Sequence, residues 1–573
     1  VRAALSSYSQ QPQRTETGPS RHRRRWQLFA DQFCPLSELP GDDAFASVCS
    51  QSPLDGVLEC RVAVQPELSV RLGHLLELVS LVPGQFVGDK RARPAISSSL
   101  AVLRGDTGEI LAQAHFVAGR EATAYAPATP SLEKYLIDVR EDRDPRTGKR
   151  LPAEESGAEK VGWNRPIAIG SVLKPLVARA AERVDRDWLA NLRMSTELRM
   201  KTCKNGVHPV LGYCPRTASV WNSPMAAADS TDFLGKSLNW FQAGLGILAT
   251  GLGGEISVDT SELVQVGGKT TSDEVWTAVG GREVLGSQGI DLEALSRAPM
   301  WRELEALVGR SRCDLASKKE CARKQTRRDI CAARALPIEV PSRDLRHLVA
   351  LGPGSFDFLP EGRYRGGRVP VVEYLEFLRG SGAHPLGSLL QVADAYARVF
   401  FAPIAGRPKL AASWFPAEPT GTLPASCSSS PASPTLRGMC RALAAGGTAT
   451  VLGTRLRELG VVAFGAKTGT IDSLGDIAES PAACKRFNLN HTVPGQKEQP
   501  YHLECGKRSS SISDSLLVVG FGVKTEGKLV PVVLALRFQA VGGSGFAAKV
   551  ADLFAAEIVR YLRPARGTPA GVR

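Results

Sequence analysis

The chain has 573 residues, of which 43% are hydrophobic and 23% charged, and this composition excludes a wholly disordered or collagen-like protein. Its formal net charge of +13 favours anionic partners. The basic residues are mostly dispersed and accompany no recognisable nucleic-acid-binding module, so we expect no nucleic acid among the partners.

Residues 1–95 are predicted to form an N-terminal module or linker of unknown role, with one helix from Leu68 to Val82. The basic run from Arg21 to Arg25 suits either a flexible arm, which we favour, or a segment beside a membrane. Because the chain begins at Val1 and not at methionine, we expect a fragment or a processed form. The sequence contains no window of about 20 apolar residues, so any membrane anchor is expected outside this chain.

From residue 96 onward, strand patterns lie at both ends of the sequence and helical patterns lie between them. Alternating apolar residues and turn residues predict two hairpins and a closing helix, namely Ser99–Arg104 with Glu109–Phe116, Leu516–Val523 with Leu529–Phe538, and Phe546–Leu562. This order predicts an α+β domain, in which an antiparallel sheet flanked by helices carries an inserted helical subdomain. We expect the domain to span residues 96–573, with the helical subdomain and insertions at about 185–440 and a cysteine-containing insertion at about 480–513.

The 12 cysteines fall into local groups, and three pairs are close in sequence: Cys203 and Cys214, Cys427 and Cys440, and Cys484 and Cys505. An even number in loop-like sequence favours disulfides and an oxidising compartment over buried free thiols. We predict a bond between Cys484 and Cys505 that closes the polar insertion, and the other connectivity stays open. No cluster of cysteine and histidine has the spacing of a zinc site, so no metal is expected.

The first chemical motif is a serine followed by a lysine one helical turn later, at Ser171 and Lys174. Gly170 precedes the serine, and Pro175 is tolerated only near a helix start, so both side chains belong to a helix N-terminus. A serine hydroxyl becomes a nucleophile when a base takes its proton, and a lysine with a lowered pKa can be that base. The same spacing occurs at residues 131–134, where a solvated helix start is the better explanation.

Two further motifs follow along the chain, and each is weak when taken alone. Ser237-Leu238-Asn239 offers a hydroxyl to relay a proton and an amide to bind a peptide carbonyl, although a helix cap has the same residues. Lys467-Thr468-Gly469-Thr470 follows an apolar run and is predicted to lie on a strand. There it can bind a carboxylate, and the N–H of Thr470 can donate to an oxyanion, although a plain turn also fits.

In this order the three motifs resemble the signature of the serine penicillin-recognising enzymes. The chain therefore resembles the transpeptidase domain of penicillin-binding proteins, over roughly residues 96–562. The first hairpin and the segments around Ser171 and Ser237 are similar to that family. The sequence departs from it at Ile169, where many relatives have proline, and at Ala466, where glycine is frequent.

The resemblance implies a serine-type D,D-transpeptidase of peptidoglycan synthesis, a transferase that forms a β-lactam-sensitive acyl-enzyme and uses no cofactor. It implies that Ser171 is the nucleophile and that Lys174 accepts its proton. It also implies that Ser237 relays the proton and that Asn239 orients the peptide through its amide. It assigns substrate binding to Lys467, Thr468, Gly469 and Thr470. Of these, the lysine and the two threonines would face the substrate carboxylate. The implied partners are D-Ala-D-Ala stem peptides, β-lactams and cell-wall synthesis proteins, and the implied location is extracytoplasmic, in the periplasm or cell envelope.

Three alternatives share some of these residues. A serine β-lactamase of the best-known class needs a glutamate four residues before an asparagine that follows Ser-x-Asn. The only asparagines after Asn239 are Asn488 and Asn490, and Arg486 stands in place of that glutamate, so we rank this class lower. A D,D-carboxypeptidase differs only in using water as the acceptor, and the sequence leaves that choice open. A catalytically silent penicillin-binding scaffold or sensor is disfavoured by the intact motifs.

Overall fold

A computed structural model of the chain describes the following residues: 49–51, 58–60, 66–88, 92–117, 167–195, 227–239, 241–242, 245, 264–266, 269–270, 290–291, 295, 297–308, 368–369, 374, 377–378, 380, 386–387, 389–401, 426–471, 481–490, 504–506, 513–541 and 545–563. The basic run at 21–25, the second Ser-x-x-Lys at 131–134 and the pair Cys203 and Cys214 lie outside these residues.

The described strands and helices are numbered in chain order. The strands are β1 Cys49–Gln51, β2 Leu58–Cys60, β3 Ser97–Arg104, β4 Ile110–Val117, β5 Ile167–Ala168, β6 Leu192–Ser195, β7 Ala227–Asp229, β8 Val264–Val266, β9 Lys269–Thr270, β10 Ile290–Asp291, β11 Arg368–Val369, β12 Leu386–Gly387, β13 Val462–Ile471, β14 Asp514–Thr525 and β15 Lys528–Phe538. The helices are α1 Pro66–Leu81, α2 Pro83–Val87, α3 Lys174–Val184, α4 Arg186–Asn191, α5 Ser230–Lys236, α6 Pro299–Leu307, α7 Leu389–Phe400, α8 Pro434–Leu443, α9 Thr450–Glu458, α10 Pro481–Asn490 and α11 Phe546–Leu562. Short 3₁₀ helices cover Gly170–Leu173 and Cys427–Ser429.

A five-stranded antiparallel sheet forms the centre of the domain, in the order β13–β14–β15–β3–β4. The hairpin β14–β15 closes through a two-residue turn at Glu526 and Gly527, both with positive φ, as type I′ turns require. The C-terminal hairpin thus joins the N-terminal hairpin to β13, and the predicted α+β fold class is confirmed.

The hydrophobic core covers one face of this sheet. Helices α1, α9 and α11 pack there against apolar side chains that alternate along the strands, as a period of two requires. Leu72, Val102, Leu534 and Phe554 belong to this core and are fully buried. Helix α1 lies on the N-terminal side of the division predicted at residue 95, yet it packs against β4 and α11. The division itself stays a prediction.

The opposite face of the sheet carries helix α7 and, beside it, α3 and α8. Helix α7 crosses β14, β15 and β3. Its close approach depends on Gly520, because a Cβ at that position would lie 2.7 Å from Cδ2 of Phe400. The helix that carries the first chemical motif, α3, therefore belongs to the layer on this face of the sheet.

Two disulfides lie within the described residues. Cys427 is bonded to Cys440, and Cys484 is bonded to Cys505. The predicted Cys484–Cys505 bond is thus confirmed, and it holds helix α10 of the polar insertion to the segment at residues 504–506. Among the described helices, none is both long and apolar enough to cross a membrane.

Candidate active site

The predicted nucleophile lies in the 3₁₀ turn that leads into α3. Gly170 begins this turn with φ +57°, a left-handed conformation that glycine adopts without a steric penalty. A Cβ on Gly170 would lie 2.8 Å from Cγ1 of Ile471 and 3.0 Å from the carbonyl oxygen of Thr470. The turn is therefore packed tightly on the end of β13. Ser171 is partly exposed there, whereas its neighbour Val172 is fully buried.

The second motif lies at the end of helix α5. Asp229 caps the start of that helix, since its carboxylate accepts hydrogen bonds from the N–H groups of Thr231 and Asp232 at 2.8 and 2.9 Å. The helix ends at Ser237, which has φ 58° and ψ 46°. A left-handed conformation is uncommon for any residue other than glycine, and such residues cluster at functional sites. Here it directs the chain so that the serine side chain meets two lysines.

The first of these lysines is Lys174, which is fully buried at the start of α3. Its Nζ donates to the carbonyl oxygen of Ser237 at 2.7 Å and to the Ser237 hydroxyl at 3.0 Å. It also donates to Oδ1 of Asn239 at 2.5 Å. All three of these acceptors are oxygen atoms, which suits the donor capacity of a lysine amine. The lysine of the first motif therefore binds both polar residues of the second.

The second lysine is Lys467 on β13, which is also fully buried. Its Nζ donates to the Ser237 hydroxyl at 2.8 Å and to the carbonyl oxygen of Thr468 at 2.7 Å. Burial disfavours its charged form and lowers the pKa of Lys467 from 10.5 to about 7. One hydroxyl, that of Ser237, thus accepts hydrogen bonds from both lysines, and the three motifs form one polar cluster.

The remaining residues of the third motif lie on β13 beside the nucleophile turn. A Cβ on Gly469 would lie 3.1 Å from Cγ1 of Val172, so glycine permits the close approach of strand and turn. Thr470 is exposed at the end of the strand, whereas Thr468 is buried. All eight predicted site residues are therefore described, and the turn, the helix end and the strand that carry them are in contact. Their chemical roles stay predictions.

Sequence reasoning missed two buried polar side chains around this cluster. The hydroxyl of Tyr396 on α7 donates to the carbonyl oxygen of Val172 at 2.6 Å. Nε2 of Gln242 donates to the carbonyl oxygen of Leu378 at 2.8 Å. Both residues lie in largely apolar stretches of sequence that contain no motif. The only available signal was a polar side chain on a helix face expected to be buried, because such side chains need a hydrogen-bond partner. The described residues contain no group of three or more His, Cys, Asp or Glu that is arranged to hold a metal ion.

Comparison with solved structures finds penicillin-binding proteins, the family that the motifs resemble. The chain is similar to the transpeptidase domain of penicillin-binding protein 3 from Burkholderia pseudomallei, with 13% sequence identity and a TM-score of 0.42, over 89% of this chain and 98% of that one. It is also similar to penicillin-binding protein 3 from Mycobacterium tuberculosis complexed with aztreonam, with 12% identity and a TM-score of 0.40, over 92% and 91% of the two chains.

A third similar structure is penicillin-binding protein 2B from Streptococcus pneumoniae, with 10% identity and a TM-score of 0.43. The match covers 89% of this chain and 63% of that one. No protein-family model matches the chain, and no curated protein sequence matches it. The assignment of the α+β fold rests on the sheet and the helices themselves.

Proposed function

We propose that this protein is a penicillin-binding serine acyltransferase that acts as a D,D-transpeptidase on D-Ala-D-Ala stem peptides. The observation that carries the proposal is the Ser237 hydroxyl, which accepts hydrogen bonds from the buried amines of Lys174 and Lys467. Two buried amines converge on this hydroxyl, and one of them, Lys174, follows the helix-start serine by one turn; acyl transfer requires such groups. Burial of two lysine amines costs free energy, and a purely structural role for the two amines and the Ser237 hydroxyl would not explain that cost.

In the proposed acylation, Oγ of Ser171 attacks the carbonyl carbon of the penultimate D-alanine. Lys174 takes the serine proton, for which its amine must first be neutral and offer a lone pair. The Ser237 hydroxyl uses its oxygen to accept from the lysines, so its own proton is available for the leaving amine of the terminal D-alanine. As it gives up that proton, Ser237 takes the serine proton from the Lys174 ammonium, so Ser237 ends as a hydroxyl and Lys174 as a neutral amine. The C–N bond breaks, the terminal D-alanine leaves, and an ester on Ser171 remains.

Substrate binding is assigned to the strand and the helix end that flank the serine. Lys467 in its protonated form attracts the terminal carboxylate of the stem peptide, and the hydroxyls of Thr468 and Thr470 donate to it. The N–H groups of Ser171 and Thr470 form the proposed oxyanion hole. Asn239 orients the peptide backbone through its amide, whose oxygen accepts from Lys174. An amine of a neighbouring strand then resolves the ester, which forms the cross-link.

The proposed location is extracytoplasmic, in the periplasm or cell envelope, where stem peptides are found. The disulfides Cys427–Cys440 and Cys484–Cys505 support this location, because structural disulfides persist in oxidising compartments. The proposed partners are stem peptides, β-lactams and other cell-wall synthesis proteins. The excess of basic residues also suits an anionic polymer as the environment of the protein.

Covalent labelling tests the proposal. Incubation with a fluorescent penicillin should add one acyl group to the peptide that contains Ser171, and Ser171→Ala should abolish the labelling. Ser131→Ala, at the second Ser-x-x-Lys, is the matched control and should label like the unmodified chain. A label on Ser131, or full labelling of Ser171→Ala, would contradict the assignment of the nucleophile.

The fate of the adduct separates the related activities. A transpeptidase holds the adduct for a long time and exchanges the terminal D-alanine of a stem peptide for an added D-amino acid. Release of D-alanine without exchange would indicate a carboxypeptidase, and rapid loss of the penicilloyl group would indicate a β-lactamase. Absence of any adduct on a folded chain would indicate a silent scaffold or sensor.

A further inference from the structure

The turn that carries Ser171 is a short 3₁₀ helix, whose hydrogen bonds have poorer geometry than those of an α-helix. Pro175 has no N–H, so the carbonyl of Ser171 accepts from the N–H of Lys174 instead, in the tighter 3₁₀ pattern. One bond of the turn, from the N–H of Val172 to the carbonyl oxygen of Ile169, is long at 3.4 Å. Such a turn depends on its surroundings for a fixed geometry.

One stretch of chain, residues 377–400, supplies that support at three points. Gly380 has φ +70°, and a Cβ there would lie 2.0 Å from the carbonyl oxygen of Gly170. Strand β12 pairs with β5, which leads directly into the turn. Downstream of both contacts, Tyr396 on α7 reaches the turn itself. The strand before the turn, the first residue of the turn and Val172 within it are thus all contacted by one segment.

The Tyr396 contact is the only one of the three made by a side-chain hydrogen bond. The ring is fully buried and packs against Phe400, with ring centroids 5.8 Å apart. The hydroxyl donates to the carbonyl oxygen of Val172 at 2.6 Å, next to Ser171. Burial raises the pKa of Tyr396 well above its usual value, so the hydroxyl stays protonated and remains a donor at any working pH.

We propose that Tyr396 is a positioning residue, which fixes the Ser171 turn through the carbonyl group of Val172. The inference rests on the proposed function for its kinetic consequence, although the contact is independent of it. Tyr396 does not touch the reacting atoms. It acts by holding the serine at the geometry of attack, and loss of such positioning lowers the rate of the chemical step more than it weakens binding.

The test compares Tyr396→Phe with the unmodified chain, since this change removes the hydroxyl and keeps the ring. With a chromogenic β-lactam, the first-order acylation constant should fall about tenfold, because a misplacement of roughly 1 Å can cost on the order of 10²-fold. The dissociation constant of the non-covalent complex should stay within about twofold. The pH profile should keep its shape, because the hydroxyl does not titrate in the working range.

Amide hydrogen exchange gives a second measurement that needs no acylation. Peptides covering residues 167–176 should exchange faster in Tyr396→Phe than in the unmodified chain. Tyr561→Phe is the matched control, because it removes a hydroxyl from α11 on the opposite face of the sheet, and neither measurement should change. All rates are taken well below the lowest midpoint of thermal unfolding, so that a loss of global stability does not contribute.

The outcomes separate this inference from the proposed function. If the unmodified chain is acylated and Tyr396→Phe is acylated at the same rate, the positioning role is wrong. If the unmodified chain is not acylated, the proposed function is wrong, and hydrogen exchange alone decides whether Tyr396 holds the turn. Unchanged exchange at residues 167–176 overturns the inference in either case.

Discussion

At the scale of single residues, the site is built from groups that are costly to bury. Lys174 and Lys467 are both inaccessible to solvent, and both donate to the hydroxyl of Ser237. An amine without water favours its neutral form, and the lowered pKa of Lys467 expresses this cost. Because of this cost, the protonation state of Lys467 changes with pH in the neutral range, where an exposed lysine stays protonated.

The lowered pKa of Lys467 predicts a specific dependence of stability on pH. Between about pH 7 and 10.5 the unfolded chain binds a proton at this lysine and the folded chain does not, so the free energy of unfolding rises with pH in that window. Below about pH 7 both states are protonated, and the burial cost is constant. Lys467→Met lacks this titration.

Urea unfolding of the two chains measures this effect. The free energy of unfolding of the unmodified chain minus that of Lys467→Met should increase from pH 7 to pH 10, by an amount on the order of a few kcal/mol. Groups that are distant from Lys467 titrate equally in both proteins and cancel in the difference. A difference that is independent of pH would show that Lys467 keeps an ordinary pKa in the folded state.

The sequence could predict the eight site residues, because each motif is local in the chain. It could not predict that Ser237 would be shared by two lysines, since these lie 63 and 230 positions away from it and their contact depends on tertiary packing. Tyr396 was missed for a related reason. A tyrosine on a buried helix usually indicates packing, and its hydrogen bond to Val172 spans 224 positions of the sequence.

At the scale of elements, helix α8 connects two of the three motifs. On one side Gly438 approaches α5, where a Cβ would lie 2.7 Å from Cβ of Leu234. On the other side α8 contacts β13, where a Cβ on Gly465 would lie 2.7 Å from Cβ of Met439. The helix therefore sets the distance between the end of α5, with Ser237, and the strand with Lys467.

The disulfide Cys427–Cys440 ties α8 to the 3₁₀ turn before it. Its sequence separation of 13 residues predicts that Cys427→Ser with Cys440→Ser lowers the free energy of unfolding by about 2–3 kcal/mol. Because α8 packs against α5 and β13, acylation by a β-lactam should also slow. Urea unfolding and acylation rates measure the two effects.

The matched control replaces Cys484 and Cys505 by serine, because that disulfide closes the polar insertion. It should lower the free energy of unfolding by a similar amount. Its acylation rate should be closer to that of the unmodified chain than the rate of the Cys427→Ser, Cys440→Ser variant is. Equal slowing in both double variants would mean that α8 has no particular role in holding the site.

Local patterns account well for the elements that the sequence predicted. The hairpins and the terminal helix follow alternation and amphipathic periodicity, and α11 has the predicted bounds Phe546–Leu562. The 3₁₀ start of the nucleophile helix was not predicted, because Gly170 and Pro175 act there in combination with the end of β13. Contacts between α5 and α8 depend on small residues in both helices, and no local pattern reports them.

At the scale of the whole molecule, the sheet joins distant parts of the chain. Strand β15 pairs with β3, and Arg537 lies opposite Ser99 in that register. Helix α1 then closes the core on the face away from the site. Folding therefore requires the N-terminal helix, the first hairpin and the C-terminal hairpin together, and this gives the domain a high proportion of long-range contacts.

This organisation predicts different outcomes for two truncations. A chain that begins at Pro66 keeps α1 and should fold, unfold cooperatively and react with a fluorescent penicillin. A chain that begins at Pro94 lacks α1 and therefore loses four fully buried side chains from the core: Leu68, Leu72, Leu76 and Val79. Loss of one such side chain to alanine typically costs about 2–5 kcal/mol, and domains are stable by only about 5–15 kcal/mol. The shorter chain should therefore fail to fold.

The single substitution Leu72→Ala provides the graded control for this prediction. It should fold, keep its acylation rate and lose about 2–5 kcal/mol of unfolding free energy, because it leaves a cavity between α1 and the sheet without touching the opposite face. Urea unfolding, circular dichroism and labelling are measured on all three proteins. Cooperative unfolding and normal labelling of the chain that begins at Pro94 would contradict the structural role of α1 and would support a domain boundary at residue 95.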